Sequence, residues 1–366
     1  MSNLGRLILL PKKFFSDVGA VVNAPSYYPE LPRKCKSRRF FEVALSRLSG
    51  NWNPSYNRFG MDITGDGYWH CGGETFVYET HFWRRVIAQN YNRERPFNYA
   101  VIMRDKCLFW QFMKFYGIST PEVVAHCKRN HYFLGVNEVS FNDWINGWKE
   151  FEGSLFLKDD TNCCGRGVYK IMVEKGVLSI PQNISLKQDF FQNKDFILQR
   201  GINNHPEIDK IYPKSLNTAR LITVWNERQN RPMLFTQFYR CGANGNSVDN
   251  WAAGGLLLHL DADGRLGEYG YFKSREYAGS AGAMRVTSHP ETGFVFKGAK
   301  LTDYAKGLAL CLRAHSMLPN LKSIGWDVAF TENGPTLIEG NEDWEISPAQ
   351  MVNGGLAAET KKYFGV

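Results

Sequence analysis

The sequence predicts an α+β protein, and three observations carry that prediction. Segments with helical periodicity are few and short, long β runs crowd the second half, and glycine-rich loops separate them. With 366 residues, 43% of them apolar and 14% aromatic, the chain can build two or three cores and is too apolar for disorder. The pattern divides it into an N-terminal region (1–98), a central subdomain with its preceding helix (99–198) and a C-terminal subdomain (199–366).

In the first region, RRFFEVALSRLSG and ETHFWRRVIAQNYN repeat apolar residues at helical spacing. The Gly-, Asn- and aromatic-rich stretch between them, NWNPSYNRFGMDITGDGYWHCGG, reads as loops and short strands, whose aromatics either stack on sugar or pack locally. In MRDKCLFWQFMKFYGISTPEV, Asp105 caps a helix with Leu108, Phe109, Phe112, Met113 and Tyr116 on its apolar face; Gly117 stops it and Pro121 follows. Residues 131–157 then give a strand in YFLGV, a helix in FNDWINGWKEF and a strand in SLFLK, and VYKIMVEKGV adds another strand and a turn. From DFILQRGINNHPEI onward β runs dominate, TARLITVWN and PMLFTQFYR among them, broken by loops at 241–255 and 278–283. One helix, TDYAKGLALCLRAHSML, precedes a hairpin in IGWDVAFTENGPTLIEGN that turns at residues 332–335. No internal repeat, heptad array or low-complexity tract appears.

A net charge of +8 points to an anionic partner: nucleotide, acidic sugar, nucleic acid or membrane surface. The eight cysteines show neither a CxxC nor a paired Cys/His spacing, so neither a disulfide scaffold nor a zinc module is indicated. The opening MSNLGRLILLPKKFF has an apolar run of four residues before a lysine pair, too short for a signal-peptide core or a membrane span. A cytoplasmic protein is the expectation, with contact between this basic, Phe-bearing arm and a membrane surface left open.

Chemistry gathers in three places. Strand alternation sets Glu339 and Asn341 on one face, and the hairpin turn folds Asp327 back beside them. Two carboxylates and an amide oxygen form an all-oxygen set suited to Mg²⁺, although a solvated acidic hairpin end explains the same residues. Lys158 ends the strand SLFLK and precedes TNCCGRGV, where a point charge and Gly-permitted backbone donors suit phosphate; a solvated turn is the plain alternative. The spacing is not that of a Walker loop. Cys163 and Cys164 in this loop have no base nearby and read as small fillers.

Taken in order, Asp105-Lys106, Lys158, the loop 162–168, FILQRGI, Asp327, and Glu339 with Asn341 resemble the ATP-grasp superfamily, most of all its sugar-transfer-associated members. The resemblance implies two α+β subdomains gripping ATP. Lys106 and Lys158 would hold the α- and β-phosphates, and Asn162, Gly165, Arg166, Gly167 and Val168 would form a lid over the β- and γ-phosphates. Backbone atoms of Gln199, Arg200, Gly201 and Ile202 would bond the adenine edge; Arg200 stands where the family often carries an acid. Glu207 is the candidate for the ribose, with His205 as the alternative. Asp327, Glu339 and Asn341 would bind Mg²⁺, and Arg220 would meet the γ-phosphoryl group or an acyl phosphate, with Lys158 sharing the catalytic role.

The implied reaction is ATP-dependent joining of a small-molecule or sugar-linked carboxylate to an amine through an acyl phosphate, in polysaccharide or specialised-metabolite synthesis. For the acceptor, Asp249 and Asn250 stand in a loop facing the phosphates, with an Asx turn as the other reading, and Lys273, Arg275 and Arg285 are cations for a carboxylate or plain surface charges. Two alternatives stay open: a kinase acting on a hydroxyl, and a basic binder of glycan or nucleic acid with a vestigial nucleotide site. No nucleic-acid partner is expected, because the acidic trio repels a polyanion.

Overall fold

The computed structural model describes residues 3–48, 54–64, 76, 77, 79–91, 99–160, 167–181, 185–278 and 283–365. Two seven-stranded antiparallel sheets dominate, as an α+β chain requires. The first comprises β1 (Val123–Lys128), β2 (His131–Leu134), β3 (Asn137–Val139), β4 (Gly153–Asp159), β5 (Val168–Glu174), β6 (Val177–Ser179) and β7 (Asp195–Arg200), in the order β3-β2-β1-β7-β4-β5-β6. The second comprises β8 (Thr218–Asn226), β9 (Arg231–Cys241), β10 (Leu256–Leu260), β11 (Leu266–Tyr271), β12 (Arg285–Val286), β13 (Ser323–Thr331) and β14 (Gly334–Asn341), in the order β12-β11-β10-β9-β8-β13-β14.

Twelve helices flank the sheets among the described residues: α1 (Asn3–Asn23), α2 (Lys36–Leu48), α3 (Glu79–Arg85), α4 (Ala100–Arg104), α5 (Lys106–Phe115), α6 (Phe141–Gly147), α7 (Gln188–Phe191), α8 (Pro206–Asp209), α9 (Arg275–Ala278), α10 (Tyr304–Ser316), α11 (Ile346–Asn353) and α12 (Ala357–Phe364). Among the described residues no helix is long and apolar enough to cross a membrane.

The predicted cap is present: the Asp105 carboxylate accepts the Leu108 N–H and starts α5. Its buried face differs from the expectation. Cys107, Phe109, Trp110 and Met113 are buried, whereas Leu108 lies 40% exposed, because α5 packs on two neighbours at once. Phe109 and Met113 join the core beneath α10, and Cys107 and Trp110 meet Val123 and Ile197 of the first sheet. Thus α5, assigned by its sequence to the central subdomain, bridges the two sheets. The strand expected in YFLGV ends at Leu134, and the helix expected over 141–151 gives way to a 3-10 turn at Trp148–Glu150. Sequence reasoning also passed over β1, β10, β11, α11 and α12.

All nine residues of β13 are buried, for it lies between β8 and β14 with apolar layers on both faces. One layer includes Leu221, Trp326 and Val328 under Cys311 and Ala314 of α10. The other includes Ile222 and Val224 beneath Ile346 and Ala349 of α11, and it also takes Tyr27, Tyr28 and Phe82 from the N-terminal region. That region therefore contributes to the second sheet's core and is not a free appendage. The described part of the loop-rich stretch between its helices, 54–64, is a run of turns with Ile63 bridging to Arg33.

Candidate functional site at the junction of the two sheets

The second sheet places its charged residues in a cross-strand row. Asp327 on β13 lies directly opposite Arg220 on β8 and opposite Glu339 on β14. Directly opposed residues share a face, so all three project together. A β-bulge makes this possible: the two-residue turn pairs Thr331 with Gly334 and Val328 with Leu337, which in regular register would set Ile338 against Asp327. Ile338 is the extra residue, and it brings Glu339 into the row. Pro335 is tolerated because β14 is an edge strand.

Asp327 is buried, yet it remains an anion. Burial alone would raise its carboxyl; the guanidiniums of Arg220 and Arg240 outweigh that and hold it well below the usual carboxylate range. Arg220 grips both oxygens, with Nη2 at 3.0 Å from Oδ2, and Arg240 Nη2 donates to Oδ2 at 2.8 Å. Arg240 also donates to the Thr218 hydroxyl at 2.8 Å and lies 3.5 Å from Asp249, whose carboxylate accepts the Thr218 N–H at 3.0 Å. Glu339 differs. Enclosing protein atoms and the Asp327 carboxylate push its carboxyl above the ordinary range, although its side chain reaches solvent. The Asn341 amide N–H₂ donates to Glu339 at 3.2 Å and to the Gly325 carbonyl at 3.3 Å, which leaves the amide oxygen as an acceptor. Two carboxylates and this oxygen fit a hard cation such as Mg²⁺.

The first sheet supplies the cations. Lys158 and Ile197 pair directly, as do Phe156 and Gln199, so these four share the face that meets α5. Burial pushes the Lys158 ammonium down to about 8; Glu339 opposes that shift and Lys106 adds to it. Residues of both sheets and of α5 therefore lie within electrostatic reach of one another. Lys106 at the start of α5 donates its N–H to Asp160 Oδ1 at 2.6 Å and its ammonium to the carbonyls of Asp159 and Asp160 at 3.0 and 3.3 Å. Asp160 in turn pairs with Lys128, which also lies 2.9 Å from Asp105 and 3.8 Å from Asp195.

The lid residues Asn162, Gly165 and Arg166, with Cys163 and Cys164, lie outside the described residues. Gly167 follows at φ +68, a left-handed conformation that favours glycine, its carbonyl accepting the Asp159 N–H at 2.9 Å, and Val168 pairs with Lys158. At the end of β7 the backbone is more committed than the sequence implied. The Arg200 N–H donates to the Glu122 carbonyl at 2.8 Å and the Gly201 N–H to the Ser154 carbonyl at 2.7 Å. The Ile202 N–H is left without a partner among the described residues. So is the buried Gln199 amide oxygen. Arg200 instead pairs outward with Glu122 at 3.0 Å.

Glu207 is exposed and pairs with Lys210 at 2.6 Å, while His205 caps α8. Asn250 makes an Asx turn to the Ala252 N–H. Lys273 stacks over Trp251, and Arg275 opens α9. Arg285 pairs with Glu30 of the N-terminal region and stacks on Tyr28 and Tyr269, with the Tyr269 ring centroid at 4.5 Å. The structure thus gathers Arg220, Asp327, Glu339, Asn341, Lys158, Lys106 and, behind them, Asp249; it gives Glu207, Asn250, Lys273 and Arg285 partners of their own. Sequence reasoning missed Arg240, Lys128 and Asp160. Arg240 had a signal, a lone cation ending the apolar run PMLFTQFYR two strands from Asp327.

A family model described as sugar-transfer associated ATP-grasp matches residues 85–363. No curated protein matches the chain. Among solved structures, an N5-carboxyaminoimidazole ribonucleotide synthetase in complex with ADP aligns at 10% identity over 68% of this chain and 46% of its own, with a TM-score of 0.39. This chain thus spans less than half of that protein. The D-alanine–D-alanine ligase from Bacillus anthracis aligns at 10% identity over 72% of this chain and 67% of its own, with a TM-score of 0.38. The ATP-grasp ligase PsnB, in complex with a phosphomimetic variant of its minimal precursor, Mg and ADP, aligns at 11% identity over 72% of this chain and 60% of its own, with a TM-score of 0.34.

Proposed function

We propose that this chain, which belongs to the sugar-transfer associated ATP-grasp family, is an ATP- and Mg²⁺-dependent ligase joining a carboxylate to an amine in polysaccharide or specialised-metabolite synthesis. The observation that carries this reading is the row Arg220–Asp327–Glu339 across three paired strands of the second sheet, with Lys158 of the first sheet close enough for Glu339 to oppose the fall of its ammonium, which supports one site for phosphate and metal.

Adenine lies against Gln199, taking the free Ile202 N–H and the unpartnered Gln199 amide oxygen. Lys106 and Lys158 would hold the phosphates. Asp327, Glu339 and Asn341 would hold Mg²⁺, which would supply neutralisation of phosphate charge. The substrate carboxylate oxygen attacks the γ-phosphorus, the bond to the bridging oxygen breaks, and ADP leaves. Repulsion between two anions is the main obstacle, and Arg220 and Arg240 lower it by facing the transferred group. The amine then attacks the acyl carbon, its proton goes to solvent, and inorganic phosphate departs with the carbon–oxygen bond. On this reading the grip on ATP is shared by the subdomains at 99–198 and 199–366, with 1–98 as an additional N-terminal region.

An ADP-release screen of carboxylates against amines tests the reading, with hydroxylamine as a trap. A hydroxamate supports the acyl phosphate; ADP release with a stable phosphate ester on an alcohol establishes a kinase instead. No ADP with any pair, together with tight glycan or oligonucleotide binding at physiological salt, overturns the proposal.

A further inference from the structure

We infer that the outer face of the α1–α2 helix pair is a docking surface for an anionic lipid bilayer. The inner face of this pair is satisfied: Val18, Val21 and Val22 of α1 pack with Val43 of α2 and with Tyr56. The outer face is not. Phe15, Phe40, Phe41, Leu45 and Leu48 are between 38% and 75% exposed, and Phe41, Leu45 and Leu48 follow the spacing that aligns side chains along one helix stripe. The Phe15 and Phe40 rings stack across the two helices at 6.4 Å, so the apolar surface is continuous from one helix to the other. Five large apolar side chains in solvent on one small surface call for a partner.

Charge identifies that partner. Lys12, Lys13, Lys36 and Arg38 stand exposed around the stripe. The carboxylates of the two helices are engaged, Asp17 with Arg47 and Glu42 with Lys34 and Arg38. The first 48 residues hold nine Lys or Arg against three Asp or Glu, six of the chain's eight net positive charges. A second copy of the chain would set like charges against each other. An apolar stripe rimmed by cations matches the interface of a bilayer with anionic headgroups, in which a helix lies flat with its apolar face at the acyl boundary. The inference stands apart from the reaction at the sheet junction, since none of these residues touches that site.

Cosedimentation of the full chain with sucrose-loaded vesicles tests it, using phosphatidylcholine alone and phosphatidylcholine with about 30% phosphatidylglycerol. Binding is expected to the anionic vesicles only. Lys12→Ala with Lys13→Ala lowers the partition coefficient roughly thirtyfold, at about fivefold for each lysine. Phe41→Ser with Leu45→Ser lowers it by at least about tenfold. Both pairs replace exposed side chains, and an unchanged thermal melt shows that the fold is kept. Absence of binding to anionic vesicles overturns the inference, as does binding that neither pair reduces. A dimer in solution that the Phe41→Ser, Leu45→Ser pair converts to monomer also overturns it, by giving the face to a second copy.

Discussion

The two sheets supply opposite halves of the candidate site and hold their charges in opposite ways. On the second sheet, Asp327 is matched by two guanidiniums before any ligand arrives, and Arg240 is matched again by Asp249. On the first, Lys158 makes no ion pair among the described residues, and burial has pushed it down to about 8. One half is stable as built; the other is short of an anion. On the proposed function, a triphosphate would supply that anion and offer Arg220 and Arg240 a second partner, leaving Asp327 to a metal. The contrast teaches that, on this proposal, metal affinity and ATP affinity would be coupled through the same arginines, each ligand improving the place for the other.

The comparison breaks first at its two carboxylates. Asp327→Asn is expected to lower ADP-forming turnover by at least about two orders of magnitude, as loss of a metal clamp does in phosphoryl transfer. It also strands the Arg220 guanidinium, while Arg240 keeps Asp249, so unfolding in urea is expected to show a loss of about 3 kcal/mol. Glu339→Gln separates the two effects. It is expected to cost a similar share of turnover and almost no stability, because Glu339 reaches solvent and its carboxylate is repelled by Asp327. Equal destabilisation by both changes would place Glu339 in the structural network and not in the metal set.

Next in size is the lysine on the other sheet. Lys158→Met is expected to raise the KM for ATP about tenfold to a hundredfold with kcat less affected. The wild-type enzyme has a pH signature. Since burial pushes the folded ammonium down to about 8, the KM for ATP is expected to rise as pH passes from about 7 to above 8, and the Met variant is expected to flatten that rise. The sign for stability is opposite: between about 8 and the ordinary lysine value the unfolded chain binds more protons, so Lys158 makes the fold relatively more stable as pH rises. A KM profile that stays flat across this window in the wild type refutes the assignment.

A smaller effect is expected behind Lys106. Lys128→Met leaves Asp160 beside Asp105 and Asp195 without its cation, and the Lys106 N–H loses a fixed acceptor. A loss of about 1–2 kcal/mol in urea and a several-fold rise in the KM for ATP are expected, given that Lys128 is partly solvated.

How much of this was legible in the sequence follows from the range of each interaction. The hairpin turn and the Asp105 cap are written in a few adjacent residues, and they were read correctly, whereas the strand in YFLGV ends two residues early. The row Arg220–Asp327–Glu339 was only half legible. Alternation sets Glu339 and Asn341 on a common face, but the face that Asp327 shares depends on the bulge at Ile338, and no local residue type announces an extra residue in an edge strand. Arg240 and Lys128 were hidden for a different reason. Their partners lie on strands distant in sequence, and only the sheet order β9-β8-β13 or the pairing of β1 with β7 brings them together. The bridging role of α5 was hidden likewise, since a helix with apolar residues on more than one side does not say which sheet each side will meet.

The smallest expected effect concerns Glu207, the sequence's candidate for the ribose. In the structure it lies on the exposed surface of α8 and pairs with Lys210 three residues on, an arrangement that explains its charge without a ligand. Surface pairs of this kind contribute about 0–1 kcal/mol, and swapping Glu207 for Gln keeps its size. The KM for ATP is therefore expected to change by less than about twofold in Glu207→Gln, measured beside 2′-deoxy-ATP as a probe of the sugar contact. A tenfold rise for ATP that disappears with the deoxy nucleotide would mean that Glu207 leaves Lys210 when nucleotide binds. In that event the end of β7 swings on closure, and the difference between a settled second sheet and a responsive first one would extend through the segment that joins them.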